Sequence, residues 1–493
     1  MNLLDSIIMQ ISPTRGLTRV RARMASQLFS RHFEAAEQSR RTQHWRRPST
    51  DANSANLIAI HHLRNLARDL VRNDGWARNG LGIVANSAVG WGIVPVLKDD
   101  RFAKVWAEWV RQCDADGRHS FYSMQRLVMK AMAQDGEVLI RRRARRVADG
   151  LPLPLQLEVI EADFLDHNKT EAARVDGNKI IQGVEFDKIG RRVAYHLFVS
   201  HPGDSRGDWG RSQETRRIPA DEIIHLYRVD RPGQIRGVSW FAPAILTLKD
   251  FDEYADATLM KQKIAACFAA FVTDTQGASG HLGEKDDDDP LSDTLEPGML
   301  VTLPPGKDVE FGTPPATTDH ESFSRSQLRK IAAGLGITYE SLTGDYSNVN
   351  YSSGRLGRLT FASNILEWQY DLLIPHFCER VWSWVQDAAV AVGSVSAAMA
   401  TDWTPPPLPM VDPDKDTKAS MAAVRAGLMT PSEMVRAQGY DPRVFWNQYS
   451  ADLKTLDKLG IVLDSDPRQR TQSGQAQSVA APPSDPPAKR SVE

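Results

Sequence analysis

Apolar residues recur every three to four positions in several separate parts of the chain, which is the spacing of one buried helix face. The clearest run covers residues 51–73, where Asn53 or Ser54 is a suitable N-cap and Asn73-Asp74-Gly75 ends the pattern. The same spacing predicts helices over residues 102–114, 123–134, 240–270, 321–335, 414–426, 430–438 and 443–459.

Shorter runs rich in β-branched residues predict strands between these helices. They cover residues 137–143, 155–161, 180–187, 192–198 and 222–227, and residues 76–96 read as a helix followed by a strand. Residues 183–187 and 192–198 form a predicted hairpin across Lys188-Ile-Gly190. Helices followed by antiparallel strands indicate an α+β domain over residues 51–238.

The longest helical pattern, residues 353–390, contains Pro375, and we expect one kinked helix there. Between it and the helix of residues 321–335 lies a polar stretch, residues 341–358. Helix–helix connections usually have roughly 2–8 residues, so a longer polar loop is either disordered or functional. This stretch is therefore the first candidate for a site.

Residues 271–318 separate two predicted helices and include short strands at 299–303 and 309–311. They also hold an acidic run, Asp286–Asp289, which we interpret as an exposed, self-repelling loop more readily than as a cation site. Residues 1–50 are rich in arginine and predict a flexible basic arm that either meets a binding partner such as DNA or is simply solvated. Residues 466–493 predict a disordered tail.

Composition excludes some classes of protein. The 493 residues carry a formal charge of −2, which argues against a protein that grips nucleic acid tightly. Cys113, Cys267 and Cys378 are far apart and read as buried reduced thiols. No run of 18 apolar residues occurs and the start lacks a basic n-region, so neither a membrane span nor a signal peptide is expected.

Several catalytic signatures are absent from the sequence. It contains no G-x-x-x-x-G-K-[ST], no H-E-x-x-H and no G-x-G-x-x-G. We therefore expect no enzyme, no cofactor and no metal site. His61 and His62 are adjacent, and neighbouring side chains on a helix point in different directions, so the two cannot easily bind one metal ion. They do not change this expectation.

Three long stretches resemble the portal proteins of lambda-type tailed bacteriophages. They are AGLGITYESLTGDYSNVNYSSGR at residues 333–355, GVSWFAPA at 237–244 and WQYDLLIP at 368–375, with Trp45 and Ser54-Ala-Asn56 in addition. The resemblance extends over about residues 40–463.

The resemblance implies a portal fold that assembles as a dodecameric ring. Its parts would be an arm (1–50), an α+β wing (51–238), a first stem helix (239–270), a clip (271–318), a second stem helix (319–337), a tunnel loop (338–356), a long kinked wing helix (357–400), a helical crown (401–465) and a tail (466–493).

It also implies a role. The ring would occupy one capsid vertex of the virion after assembly in the host cytoplasm, with double-stranded DNA in its channel. The implied partners are the terminase large subunit, major capsid and scaffold proteins, and head-completion or neck proteins. Two alternatives stay open: a packaging nuclease or ATPase with an unrecognised site, or a minor capsid or scaffold protein.

The tunnel loop supplies the candidate site. A lining of hydroxyls and amides with few cations offers weak, exchangeable contacts to the phosphates of moving DNA. Arg355 is either an occasional phosphate contact, a helix-start anchor or half of an intersubunit salt bridge. The candidate residues are Asp345, Tyr346, Ser347, Asn348, Asn350, Tyr351, Ser352, Ser353 and Arg355.

Overall fold

The computed structural model describes residues 49–97, 99–172, 174, 177–204, 214–266, 270–274, 307–311, 320–395, 399–408 and 412–463, and the single positions 466, 468 and 475. Predictions on Cys267, Asp286–Asp289, residues 299–303, nearly all of the arm and most of the tail lie outside these residues. The chain divides into two units, Met1–Ser54 and Ala55–Glu493. In the first, Asp51 accepts backbone hydrogen bonds from Asn53 and Ser54.

The predicted helix of residues 51–73 is two helices, α1 (Ala52–Asn56) and α2 (Ala59–Asn73). Neither Asn53 nor Ser54 is the N-cap, because the Asp51 carboxylate accepts from both of their backbone N–H groups. Asp74 ends α2 and caps α3 (Gly75–Val89) by accepting from the Ala77 N–H at 2.7 Å. The helices α4 (Asp100–Gln112) and α5 (Phe121–Asp135) follow, as their apolar spacing predicts.

Two antiparallel sheets complete the α+β domain. The first has the order β3-β2-β8, from β2 (Glu137–Ala144), β3 (Leu155–Ile160) and β8 (Ile223–Tyr227). The second has the order β4-β5-β6-β7, from β4 (Lys179–Ile181), β5 (Val184–Phe186), β6 (Arg192–Phe198) and β7 (Thr215–Pro219). The predicted hairpin is present, with Val184 opposite Tyr195.

Two strand predictions need correction. The single strand predicted over residues 180–187 is split, because Gln182 (φ 50°) and Gly183 (φ 83°) turn the chain between β4 and β5. A side chain on Gly183 would also meet the Asp166 carbonyl oxygen at 2.6 Å. Strand β7 was not predicted, because it lies at the edge of its sheet, ends in a proline and exposes Arg216 and Arg217.

The predicted first stem helix is shorter than residues 239–270. Helix α6 (Ile245–Ala266) begins after a series of turns, in which Ser239 Oγ accepts from the Phe241 N–H at 3.2 Å and Pro243 cannot donate a helical hydrogen bond. Ala270 belongs to β9 (Ala270–Asp274), which pairs antiparallel with β10 (Lys307–Phe311). Helix α7 (His320–Leu335) corresponds to the predicted second stem helix.

Residues 351–391 form one continuous helical run. It consists of α9 (Tyr351–Glu367), a π-helical segment (Trp368–Cys378) and α10 (Glu379–Ala391), and a short helix α8 (Tyr339–Thr343) precedes it. Pro375 lies in the π-helical segment. The wider winding is one of the ways in which a helix continues past a missing backbone donor.

The main core joins α3, α4, α5, the π-helical segment and α10. Its largest buried side chains include Phe102, Trp109, Phe121 and Phe377, and it also holds two of the three cysteines. Burial raises the pKa of the Cys113 thiol to about 12 and raises that of Cys378 as well, so both stay protonated and unreactive. The predicted buried reduced thiols are thus confirmed for this pair.

The C-terminal part contains three helices, α11 (Pro413–Arg425), α12 (Pro431–Ala437) and α13 (Pro442–Leu459). Thr430 and Glu433 form the predicted capping box. A short strand, β11 (Trp403–Thr404), pairs with β1 (Val94–Pro95) and so anchors the proline-rich connection to the α+β domain. Within the described part of the chain, no helix combines the length and apolar character that a membrane crossing requires.

Candidate functional site

The candidate loop is shorter than the sequence predicts. Residues 338–343 form the N-cap and body of α8, and α9 begins at Tyr351, so the connection consists of residues 344–350. Seven residues fall within the ordinary length of a helix–helix connection, so length no longer marks this loop as unusual. Tyr351, Ser352, Ser353 and Arg355 lie on the first turns of α9 instead of in the loop.

Asp345 fixes the start of the loop. Its carboxylate accepts hydrogen bonds from the Ser347 side chain (2.5 Å) and backbone (3.1 Å) and from the Tyr339 hydroxyl (2.9 Å), and Arg325 lies 3.5 Å away. The hydrogen bonds from Ser347 and Tyr339 lower the pKa of Asp345 to about 2. The negative charge of Asp345 therefore holds the loop in place, and Ser347 is already engaged in hydrogen bonds to this carboxylate.

Asn350 and Ser353 form the capping box of α9. The Asn350 side chain accepts from the Ser353 N–H at 2.8 Å, and Ser353 Oγ accepts from the Asn350 N–H at 3.1 Å. Two amides at the helix start are satisfied in this way. Asn350 and Ser353 are therefore the sequence signal for the start of α9. The signal is easily missed, because glutamate is the more familiar residue three positions after the N-cap.

Tyr351 and Arg355 connect α9 to the C-terminal helix α11. Arg355 lies 3.5 Å from the Asp416 carboxylate and 3.4 Å from the Tyr351 hydroxyl. The Lys415 ammonium lies 5.2 Å from the centroid of the Tyr351 ring, and the Tyr351 hydroxyl lies 3.5 Å from Asp412. Within the chain, Arg355 thus makes an ion pair near the helix start, and its contact with phosphate or with a neighbouring subunit stays a prediction.

Two of the remaining candidates, Tyr346 and Asn348, face a cleft. A cavity of about 820 Å³ lies beside the loop, and Tyr346, Asn348 and Ser353 line it together with Trp91 and Arg358. Tyr346 exposes 62% of its surface and Trp91 exposes 91%. Ser352 is exposed on the first turn of α9. Asn348 and Ser352 are thus the candidates that leave polar groups at the surface without acting as a cap or a carboxylate ligand.

The three long sequence stretches that carry the family resemblance meet behind this loop. Trp240 packs against Trp368 with ring centroids 5.4 Å apart, and the Asn364 amide donates to the Gly336 carbonyl oxygen at 2.8 Å. A Cβ on Gly334 would lie 3.4 Å from that of Ala244. The stretches are therefore parts of one packed junction between α6, α7 and the long helical run.

Gly237 explains why one of these stretches begins with glycine. A side chain there would meet the Gly136 carbonyl oxygen at 2.0 Å, and Gly136 itself has φ of 91°. The Gly237 N–H donates to the buried Glu137 carboxylate at 3.0 Å. The two glycines thus let two backbones cross in contact where the α+β domain meets the segment leading to α6.

Glu137 is the centre of a buried charge network at this crossing. Its carboxylate accepts from Arg236 and from Arg64 at 2.9 Å and pairs with His225 at 2.9 Å. Burial favours the neutral acid, but Arg236 and His225 outweigh this effect and hold the pKa of Glu137 well below its usual value. The network is structural, since each charge is satisfied by the others.

Among the residues that the structure describes, one group has side chains of the kind that bind metals: Glu161, Asp163 and His201, whose donor atoms lie within 4.8 Å of one another. Asp163, however, already accepts a hydrogen bond from Arg68 at 2.6 Å and lies 3.4 Å from Arg64. Two guanidinium groups satisfy that carboxylate and would repel a cation. We therefore interpret the group as part of the arginine–carboxylate network of this domain.

The comparisons with known proteins agree with these motifs. The model of the lambda family of phage portal proteins matches residues 38–369. The chain is 28% identical to the probable portal protein of Halomonas phage phiHAP-1, covering 88% of each chain, and 22% identical to portal protein B of Escherichia phage lambda, covering 89% of this chain and 93% of that one. A solved structure titled "Virion of native gene transfer agent (GTA) particle" is 14% identical, with a TM-score of 0.48 and coverage of 79% and 99%.

The family match spans both sheets, the α6–α7 unit and the candidate loop, which together form most of the chain. The protein belongs to the lambda family of phage portal proteins.

Proposed function

We propose that this chain is the subunit of a ring, with twelve copies, at one vertex of a phage capsid, through which double-stranded DNA enters and leaves. Membership of the portal family is the observation that carries this proposal. The protein would be a structural component of the virion, without enzymatic activity of its own. A separate terminase would supply the energy, and neck proteins would dock after packaging.

In this assembly, α6 and α7 correspond to the stem, the β9–β10 pair to part of the clip and α11–α13 to the crown. The loop of residues 344–350 with the first turn of α9 is the proposed contact with DNA. Asn348 and Ser352 support this role, because uncharged polar groups at the surface bind phosphates weakly and release them easily. Asp345 keeps its negative charge to about pH 2, which also disfavours tight phosphate binding at this point.

The ring is tested by negative-stain electron microscopy and native mass spectrometry of the purified chain. Particles with a central hole and about twelve copies are expected. A species that stays monomeric both alone and with its capsid and scaffold proteins contradicts the proposal. Assays for metal-dependent DNA cleavage and ATP hydrolysis on the same sample test the rival class, and we expect both to be negative.

The loop is tested by replacing Asn348 and Ser352 with lysine. Each added cation strengthens phosphate binding, so we expect intact rings with packaging reduced by about 10-fold or more, measured as DNA protected from nuclease in assembled heads. The matched control replaces both with glutamine, which changes side-chain size without adding charge. Asn350 is left unchanged because its loss would also remove the cap of α9. Equal packaging by the lysine and glutamine variants would remove this loop from the DNA path.

A further inference from the structure

Helix α9 carries an apolar stripe on its outer face. Leu356, Leu359 and Leu366 expose 66%, 58% and 44% of their surfaces, and Tyr370 in the following π-helical segment exposes 52%. The opposite face packs inward through Phe361 and the buried Ile365. The stripe therefore adds nothing to the fold of one chain.

The polar residues among these leucines do not interrupt the stripe. The Thr360 hydroxyl donates to the Leu356 carbonyl oxygen at 3.1 Å, and the Ser363 hydroxyl donates to that of Leu359 at 3.4 Å. Both hydroxyls make hydrogen bonds within the helix. These two side chains therefore add little hydrogen-bonding capacity to the surface of the stripe. Such a face is suited to a protein partner and unsuited to DNA.

The spacing of the stripe fits another helix. Leu356, Leu359, Ser363 and Leu366 follow one another at intervals of three, four and three residues. This repeat of 3.5 residues is the one with which two helices remain in contact along their length.

Helix α6 has an outer face with the same repeat. Leu246, Asp250, Glu253, Ala257 and Met260 lie four and three residues apart and are all exposed on the surface of the chain. Leu246 exposes 76% of its surface and Met260 exposes 57%. It is thus a second helix face that a single chain leaves open, with apolar residues at both ends.

The two helices carry opposite charge. Between Tyr351 and Leu366, α9 carries Arg355 and Arg358, the second of them toward the cleft, and no carboxylate. Between Ile245 and Asp256, α6 carries one lysine, Lys249, against four exposed acidic residues: Asp250, Asp252, Glu253 and Asp256. Within one chain Arg358 pairs with no carboxylate of the described residues. Opposite charge along two apolar helix faces favours this pairing over contact of either face with itself.

We propose that the apolar stripe of α9 docks on the outer face of α6 of a second copy of this chain. The contact joins two different faces. Each copy therefore uses α9 to bind one neighbour and α6 to bind the other, and such contacts can close into a ring. This inference rests on the proposed ring and names the surfaces that close it.

The test uses full-length chains. One variant carries Leu359→Glu and Leu366→Glu, and another carries Leu246→Glu and Met260→Glu, so that the two altered faces repel each other. The control carries Val147→Glu and Ile189→Glu, two apolar residues of the α+β domain that are 74% and 71% exposed. Native mass spectrometry and sedimentation measure assembly, and circular dichroism with thermal melting measures folding. Should either helix variant melt early, glutamine replaces the charged residue at the same positions.

We expect rings from the natural chain and the control, and monomers from either helix variant, with the contact weakened at least about 100-fold. An equimolar mixture of the two helix variants should give a 1:1 dimer, because just one intact pair of faces remains. Rings from the α9 variant overturn this inference and leave the ring itself standing. Rings from the α6 variant, or two monomeric variants that form no dimer when mixed, also overturn it. A natural chain that forms no ring overturns the proposed function.

Discussion

Gly237 shows how one residue sets the geometry between the sheet domain and α6. The nearest atoms to an added methyl group are the Gly136 carbonyl oxygen at 2.0 Å and the Tyr227 Cβ at 2.7 Å, and the first of these is backbone that has no side-chain freedom. The same crossing supplies the Gly237 N–H to Glu137. Any side chain would thus separate two backbones and loosen the buried charge network.

We therefore expect Gly237→Ala to lower the free energy of unfolding by about 3 kcal/mol, as overpacking does at a site that cannot adjust. The control is Gly82→Ala on α3, where no atom lies within 4 Å of the added methyl group. That change should be neutral or stabilise by up to ~1 kcal/mol, since alanine favours the helix. Urea unfolding followed by circular dichroism measures both, and equal stability of the two variants would contradict the steric argument.

Glu185 makes a second prediction at this scale. It lies on β5 with no exposed side-chain surface. Burial by itself raises the pKa of Glu185, but hydrogen bonds from Arg217, Asn178 and His196 outweigh it and lower the pKa from 4.5 to about 2. Because the pKa is depressed in the folded state, this stabilisation is complete above pH 4.5 and is lost as the pH falls toward 2.

Replacing Glu185 with glutamine should reduce stability at pH 7 and remove part of the acid dependence between pH 4.5 and 2. Unfolding free energies of both proteins at several pH values measure this, with Glu214→Gln as the control. Glu214 is more than half exposed and 4.0 Å from Arg216. Parallel pH curves for natural chain and Glu185→Gln variant would mean that this carboxylate titrates normally.

At the scale of elements, the ion pair of Arg355 and Asp416 joins α9 to α11. Both side chains are partly exposed, so the pair contributes at most ~1 kcal/mol to stability. The main effect of this ion pair is to hold the adjacent loop of residues 344–350 in position. Arg355→Gln and Asp416→Asn break the same contact, so we expect both to increase amide exchange at residues 344–353 to a similar degree.

The two variants also separate the roles of Arg355. A role in the α9–α11 connection predicts equal effects on packaging, whereas a contact to phosphate predicts a loss with Arg355→Gln alone. The double variant should behave like either single one, because the contact is already absent. Hydrogen exchange and nuclease protection of packaged DNA provide the two measurements.

Sequence patterns predicted the elements that bury one regular face. The spacing of Phe102, Trp106 and Trp109 identified α4, and the alternation around Tyr195 identified β6. The patterns failed where a local contact decides the conformation. Asn350 and Ser353 begin α9 inside a polar stretch, and Gln182 takes a positive φ that its residue type does not suggest.

Contacts between distant elements could not be read from the sequence at all. The pairing of Arg355 with Asp416 spans 61 positions, and neither residue lies in a recognisable motif. Burial and pairing of Glu137 likewise depend on Arg64, Arg236 and His225 from three other segments. The polar stretch indicated a loop before α9 but not the length of that loop, because helix ends depend on caps more than on composition.

At the scale of the whole molecule, charge is distributed unevenly along the chain. Residues 1–50 contain nine arginines and three acidic residues, which leaves a formal charge of −8 on the rest of a chain whose total is −2. The net negative charge of residues 51–493 disfavours tight binding of DNA phosphates, whereas the arm carries a net positive charge. We infer that the arm supplies most of the DNA affinity of a free ring.

We therefore expect replacement of Arg40, Arg41, Arg46 and Arg47 by glutamine to leave the ring intact and to weaken its DNA binding. Each lost phosphate contact lowers the slope of log affinity against log salt by about 0.9, so removal of four contacts from one bound arm flattens the slope measurably. Fluorescence anisotropy with duplex DNA at 50 to 200 mM salt measures it. The control replaces Arg216, Arg228 and Arg231 in the α+β domain and Arg380 on α10. An unchanged slope in the arm variant would indicate a solvated tail or an arm that binds a protein of the capsid, and would transfer the DNA contact to the body of the ring.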